Sequence, residues 1–512
     1  MGDLLLVIDE GTTSTRAIVF DASGQSIAVA QNPIESHYPR PGWVEQDPEE
    51  IWALTLSAAQ AALNANGGAD RIAAIGITNQ RETMVFWDRR TGRALAPAIV
   101  WQDRRTADYC DALRAAGHEP ALQAKTGLLL DPYFSASKIH WALANWPAVA
   151  AAGDYLAIGT IDSWLIYRLT GGLHVSDATN ASRTALMDLR GGWDEGLCDL
   201  FGVPRPALPE ICDSAGGIGE TVPDLFGRAV PIAGIAGDQQ AAAIGQACFE
   251  PGATKATYGT GSFILTHAGA EPPHSAHRLL GTVAWQLAGE RRYALEGSLF
   301  VAGSMMQWLR DAVGIIETSA ESEALARSVP DSGGVQVVPA FTGLGAPHWN
   351  AEARGAILGL TLGSTRAHIV RAALEGIVNQ TNELKRAFAG DGVEWSSLRI
   401  DGGMAANDFL AQDLADVLGI AVERPADVES SALGAAMLAG VGCGLWASLA
   451  DAATAVRRDI VRFEPAATVN RSVRTAAWDQ AVMAVMIAGF GCPPDILQTA
   501  MVPRDGIEPP TP

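Results

Sequence analysis

Two stretches of this chain share one design. Residues 7–20, VIDEGTTSTRAIVF, run apolar, break at Asp9 into Gly, hydroxyls and Arg16, and turn apolar again. Residues 252–269, GATKATYGTGSFILTHAG, repeat the order of apolar strand, Gly-Thr turn and apolar strand. Each reads as an antiparallel hairpin. At 512 residues the chain is too long for one core, since roughly 150 residues is a usual domain length. Two similar α/β domains, each entered through a Gly-Thr hairpin and separated by a cleft, are the expected architecture.

The flanking elements agree. LLLVID, RAIVF and SIAVA form a meander, and a helix is predicted at about 49–65, with Asp47 as N-cap and Pro48 at its first position. RIAAIGIT (71–78) and TMVFWD (83–88) read as strands. After the second hairpin come a helix near 298–312, a strand at 335–340 and a long helix at about 366–388. A strand at 398–401 and helices at 407–418 and 430–447 follow. The seam is expected near 246–253, which gives an N-terminal domain over 1–248 and a C-terminal domain over 249–490. Residues 491–512 have several prolines and no periodicity, and are expected to be a frayed tail.

Composition narrows the partners. Hydrophobic residues make up 48% and charged residues 18%, as in a soluble globular protein. The net charge of −21 repels polyanions, which argues against nucleic acid or an acidic membrane as partner. Residues 432–450 carry no charge, but their Ala and Gly content fits a buried packing helix better than a membrane span. The six cysteines are scattered, and no secretory signal is visible, so a cytoplasmic protein with reduced thiols is expected. His267, His274 and His277 lie in a Pro-rich loop without metal-ligand spacing.

Five motifs could carry chemistry. In residues 9–16, DEGTTSTR, a Gly turn lets backbone N–H groups approach phosphate oxygens, hydroxyls add donors, Arg16 adds charge, and Asp9 could hold hydrated Mg²⁺. The same stretch could simply turn the chain. No Gly-Lys-Ser/Thr exists, so a nucleotide would bind through hairpin turns. Asp238 ends the small-residue strand IAGD, and could accept a proton or cap the following helix. Arg81 and Glu82 could bind one small polyol or form a solvated loop pair, and Trp101 and Tyr133 could wall a ligand or fill the core. In RIDGGMAANDFL, Gly402 and Gly403 leave room for a ring or ribose, and Asn407 could hydrogen-bond it; a tight turn is the plain alternative.

Taken in order, DEGTTSTR, PGWVEQDPEEIW, GITNQRET, IVWQDRRT, DPYFSASKIHW, TNASRT, IAGDQQAA, TYGTGSF, VVPAFTGLGAPHW and DGGMAAN resemble the FGGY carbohydrate kinase family over about residues 4–480. GAILGLTLGSTRAHIVRAALE resembles that family's signature segment, and NQRET with DPYF and GDQQ resembles its glycerol-phosphorylating branch. The resemblance implies two ribonuclease-H-like domains of the actin and sugar-kinase superfamily. It also implies MgATP-dependent phosphorylation of glycerol, with the polyol on the first domain and ATP on the second.

Position by position, Arg81, Glu82, Trp101, Tyr133, Asp238 and Gln239 resemble the glycerol contacts, with Asp238 as general base. Thr12, Thr13, Ser14 and Arg16 resemble phosphate contacts, with Asp9 near the metal. Thr260, Gly261, Gly303, Gln307, Gly403 and Asn407 resemble the nucleotide site. A homodimer or homotetramer is implied by the resemblance alone. Glu10 stands where the family usually has Gln, and an outward-facing residue is expected there. Residues 214–230 lack the basic glycine loop through which some members bind fructose 1,6-bisphosphate. Another sugar or polyol kinase of the family, and an idle actin-like nucleotide binder, are the competing expectations.

Overall fold

Strands β1 (Leu4–Glu10), β2 (Ser14–Asp21) and β3 (Ser26–Pro33) form the expected meander. These elements belong to a computed structural model that describes residues 3–350, 352–425, 429–456, 459–466 and 470–488; the expected tail at 491–512 lies outside them. β1 is buried along its whole length, as a central strand covered on both faces must be, while β3 alternates half-buried and exposed as an edge does. Helix α1 (Pro48–Ala65) starts where the sequence predicts, with the Asp47 carboxylate accepting from the Glu49 N–H and Pro48 in the first turn. Strand β4 (Ile72–Asn79) lies parallel to β1, and β5 (Pro231–Gly237) parallel to β4. The chain leaves β5 directly into helix α2 (Asp238–Gly245).

The second half repeats this plan. β6 (Ala253–Tyr258), β7 (Ser262–Gly269) and β8 (Glu290–Leu299) are a second antiparallel set. After α3 (Gly303–Asp311) and the long α4 (Arg366–Gly390), β9 (Ser397–Asp401) adds parallel to β6. Helix α5 (Asp408–Leu418) leads to β10 (Val422–Pro425), parallel to β9. The two sheets therefore correspond strand for strand, β5-β4-β1-β2-β3 against β10-β9-β6-β7-β8, with extra antiparallel strands at their edges.

Two predicted helices begin or end elsewhere. Residues 298 and 299 are not helical, because β8 continues to Leu299 in register with Ser262, and pairing with a buried strand outweighs local helix preference. Helix α6 (Ser430–Gly442) stops short of 447, with Gly444 at φ 78° just beyond it. As expected α6 is a buried packing helix, and its Ala and Gly content has a specific cause. A Cβ on Gly434 would lie 1.8 Å from the Ala241 carbonyl oxygen, and one on Gly245 would lie 1.9 Å from that of Ser430. Helices α2 and α6 thus cross backbone to backbone, and α6, late in the chain, packs on the sheet of the first half. Among the described residues no helix is long and apolar enough to cross a membrane.

Candidate active site

Arg81 and Glu82 follow β4 and are 3% and 1% exposed, so they are not a solvated loop pair. Arg81 Nε is 3.2 Å from Asp238 Oδ1, and its Nη1 donates to Glu296 Oε2 at 2.6 Å. Arg183 donates through Nε to Glu82 Oε1 at 2.6 Å and through Nη2 to Glu296 Oε1 at 2.9 Å. The result is a chain of alternating charge, Asp238–Arg81–Glu296–Arg183–Glu82, buried in all but its Asp238 end. Burial raises the Glu82 carboxyl above its usual range despite Arg183 and Arg81. At Glu296 the burial penalty is outweighed by the two guanidiniums, which hold the carboxyl low.

Arg183 is positioned by the short helix Ala178–Ala181, which is capped by Asp177 and tied to the end of β4 by Asn79 donating to Asn180 Oδ1 at 2.9 Å. The Arg183 guanidinium also sits over the Tyr133 ring at 5.6 Å. Tyr133 meets Trp101 edge-on at 5.6 Å, and Trp101 meets Phe263 of the second half at 6.1 Å. These rings lie beside the charged chain and reach across to the second half. Burial pushes the Tyr133 hydroxyl far up, so it stays neutral.

Asp238 is not the helix cap; Gly237 holds that place, and Asp238 is the first helical residue with its side chain 34% exposed. The strand-to-helix corner therefore leaves a partly accessible carboxylate beside Arg81. Its Oδ1 accepts from the Gln239 N–H at 2.7 Å, and Gln239 Oε1 accepts from Lys255 Nζ.

The first hairpin adjoins this cluster. Antiparallel register sets Asp9 opposite Arg16, and the two are ion-paired, with Arg16 also paired to Glu429. Burial raises the Asp9 carboxyl, Arg16 opposes that, and the charges of Glu429 and Asp238 reinforce it. Thr12 Oγ1 accepts from Trp101 Nε1 at 2.9 Å, Thr13 is exposed, and Ser14 Oγ accepts from Gln31 at 2.9 Å. Glu10 contradicts the expectation of an outward-facing residue: it is 0% exposed. Successive residues of β1 face opposite sides of the sheet, so with Asp9 towards Arg16, Glu10 must point at α1. There its Oε2 accepts from Thr55 Oγ1 at 2.7 Å, and burial pushes its pKa from 4.5 up to about 8.

A third cluster is built from backbone. The Gly303 N–H donates to the Gly259 carbonyl at 2.8 Å, and the Ala302 N–H to that of Thr260 at 2.9 Å, which sets the start of α3 against the second hairpin turn. A Cβ on Gly261 would meet the Leu299 oxygen at 2.5 Å, and one on Gly303 the Gly259 oxygen at 2.6 Å. Gly402 has φ 86° and passes so close to Tyr258 that a Cβ would lie 2.5 Å from its oxygen, while Gly403 faces open space. Gln307 is exposed on α3. Asn407 caps α5, its Oδ1 accepting from Leu410 N–H at 3.0 Å and its Nδ2 donating to Ser322 at 3.2 Å. Among the described residues no group of three or more His, Cys, Asp or Glu is placed to hold a metal by itself. His267, within β7, stacks on Trp285, and His277 pairs with Asp391, so these two histidines have structural partners.

Two family models account for the paired sheets. The N-terminal domain model of the FGGY family of carbohydrate kinases matches residues 4–245, and its C-terminal domain model matches residues 254–443. The chain belongs to the FGGY family of carbohydrate kinases. A glycerol kinase of Rhodospirillum centenum is 54% identical, covering 93% of this chain and 97% of that protein. One from Deinococcus radiodurans is also 54% identical, covering 93% and 96%. Among solved structures, Plasmodium falciparum glycerol kinase with ADP aligns at a TM-score of 0.89 and 36% identity, over 95% of this chain and 99% of that one.

In this FGGY chain the sequence reading missed Arg183, Glu296, Lys255 and Phe263. TNASRT was visible as a motif, but nothing local distinguishes a strand Glu such as Glu296, which meets two arginines, from one that faces solvent. Lys255 carried a signal of its own: a lone charge inside a strand of otherwise uncharged residues must find partners when buried.

Proposed function

We propose that this chain catalyses ATP-dependent phosphorylation of glycerol to sn-glycerol 3-phosphate. One observation carries the reading: Arg81, Asp238 and Gln239 converge beside the Trp101–Tyr133 wall, with the Asp9–Arg16 hairpin adjoining them. Glycerol has so few atoms that, at roughly 1.5 kcal/mol per atom at best, its site must engage every hydroxyl. Arg81 offers donors, Glu82 and Asp238 offer acceptors, and the rings cover the carbon side. The kinship with glycerol kinases supports the same substrate.

Asp238 acts as general base, taking the proton from the attacking hydroxyl as its oxygen bonds to the γ-phosphorus and the bond to the bridging oxygen of ADP breaks. Arg16 and the hairpin N–H groups with Thr12, Thr13 and Ser14 orient the phosphates. Thr260, Gly261, Gly303, Gln307, Gly403 and Asn407 form the nucleotide site, mainly through backbone. Asp9 suits Mg²⁺, which normally takes one or two carboxylates with phosphate oxygens and water. Burial and the nearby charges of Glu429 and Asp238 make a cation beside Asp9 favourable, a place that Arg16 shares. When bound, Mg²⁺ neutralises charge developing on the transferred phosphoryl group.

The halves act as an N-terminal glycerol-binding domain (1–248) and a C-terminal ATP-binding domain (249–490), in a cytoplasmic homodimer or homotetramer. The test is ADP release by the purified chain with MgATP and glycerol, xylulose, erythritol or no acceptor. Strong stimulation by glycerol alone is expected. Stimulation by another acceptor would reassign the pocket, and none at all would favour an idle nucleotide binder.

A further inference from the structure

We propose that Lys255 is a positioning residue that fixes which end of the Gln239 amide faces the substrate, and so makes that corner of the pocket a hydrogen-bond donor. The inference rests on the glycerol-site reading above.

Lys255 lies in β6 and is completely buried. Its ammonium donates to Gln239 Oε1 and, at 3.0 Å, to Thr257 Oγ1. Burial lowers its pKa, while the carboxylates of Asp401 and Asp238 work to keep it charged. A glutamine amide has two ends of nearly equal shape, and only its hydrogen-bond partners decide which way it points. An ammonium has three N–H groups and no lone pair, so it can face only the amide oxygen. With Oε1 held by Lys255, the Nε2 group is the end left for the cleft, and among the described residues it has no hydrogen-bond partner.

Next to it, Asp238 presents a carboxylate that can only accept. The pair therefore matches a hydroxylated ligand: one lone pair for the Gln239 N–H, one O–H for Asp238. An ammonium placed against the Gln239 corner would meet N–H groups alone. Lys255, which need not touch substrate, thereby selects hydroxyl over amine at that position, because a misplaced polar group leaves its partner unpaired.

The experiment compares the full-length chain with Lys255→Met and Gln239→Glu, using ADP release with glycerol or 3-amino-1,2-propanediol. For Lys255→Met, the glycerol KM should rise about tenfold or more, with kcat changing less and the ATP KM staying within about twofold. The preference for glycerol over the amino analogue, as a ratio of kcat/KM, should fall about tenfold, because the released amide can turn its oxygen outward. Gln239→Glu keeps the Lys255 contact but shows the cleft an acceptor, so it should shift the preference in the same direction. Unchanged glycerol KM and unchanged preference in both variants, each melting cooperatively, would overturn the proposal. Should Lys255→Met fail to fold, the preference of Gln239→Glu decides alone. A parent chain inactive on glycerol is a separate failure, which overturns the glycerol reading itself.

Discussion

Arg81 Nε lies 3.2 Å from Asp238 Oδ1, which ties the residue proposed to bind glycerol to the residue proposed to take its proton. The two roles are separable. Asp238→Asn keeps shape and polarity but removes the base, so kcat should drop at least about a hundredfold while glycerol and MgATP still bind. Arg81→Ala should chiefly raise the half-saturating glycerol concentration. Steady-state kinetics with both substrates varied checks the pair, and a near-normal kcat in Asp238→Asn would remove Asp238 from its role.

Glu296 offers a test of the buried charge chain. It comes from the second half yet accepts from Arg81 at 2.6 Å and Arg183 at 2.9 Å in the first. Glu296→Ala leaves two buried guanidiniums without their shared carboxylate, and breaking a buried pair costs about 3–5 kcal/mol. A fall in melting temperature of about 6 °C or more is expected, together with weaker glycerol saturation. Scanning calorimetry and the glycerol KM check it.

Local patterns explain what was legible before the structure. The hairpins, the α1 cap at Asp47 and Pro48, and the strand-to-helix corner at Asp238 all depend on residues a few positions apart, so spacing alone places them. The Arg81–Glu296–Arg183 chain depends on how two sheets meet, which no spacing encodes. The helix expected near 298–312 is present but begins only at Gly303, because β7 claims residues 298 and 299 through pairing that local spacing does not encode. Glu10 was an error of a different kind. Alternation along β1 already placed it opposite Asp9, but what it meets there, Thr55 of α1, is a tertiary contact.

That contact makes stability depend on pH. Glu10 titrates near 8 in the folded chain against 4.5 ordinarily. Between those values the folded chain holds a proton that the unfolded chain has lost, so this residue's contribution falls as pH rises from about 4.5 to about 8 and then levels off. Glu10→Gln supplies the neutral form permanently. The variant should melt at least about 2 °C above the parent at pH 8, with the difference closing towards pH 5. Parallel curves at all pH values would mean that Glu10 does not titrate in this range.

The α2–α6 crossing predicts a packing effect that reaches the site. A Cβ on Gly434 would lie 1.8 Å from the Ala241 oxygen, and both partners are helix backbone that cannot turn aside. Gly434→Ala should cost about 1–3 kcal/mol. Because α2 begins with Asp238 and Gln239, the displacement should also lower kcat. Thermal melting and turnover, measured on one preparation, check both effects.

Adjacent glycines separate folding from nucleotide binding. Gly402 stands at φ 86° with the Tyr258 oxygen 2.5 Å from where a Cβ would be, whereas a Cβ on Gly403 meets nothing within 4 Å. Gly402→Ala forces a side chain into a left-handed backbone and against a carbonyl, so its melting temperature should fall. Gly403→Ala should melt like the parent, because the fold has room for the methyl group. If the nucleotide occupies that room, the ATP KM of Gly403→Ala rises several-fold while its glycerol KM stays put. An unchanged ATP KM in this well-folded variant would move the nucleotide away from the β9 turn.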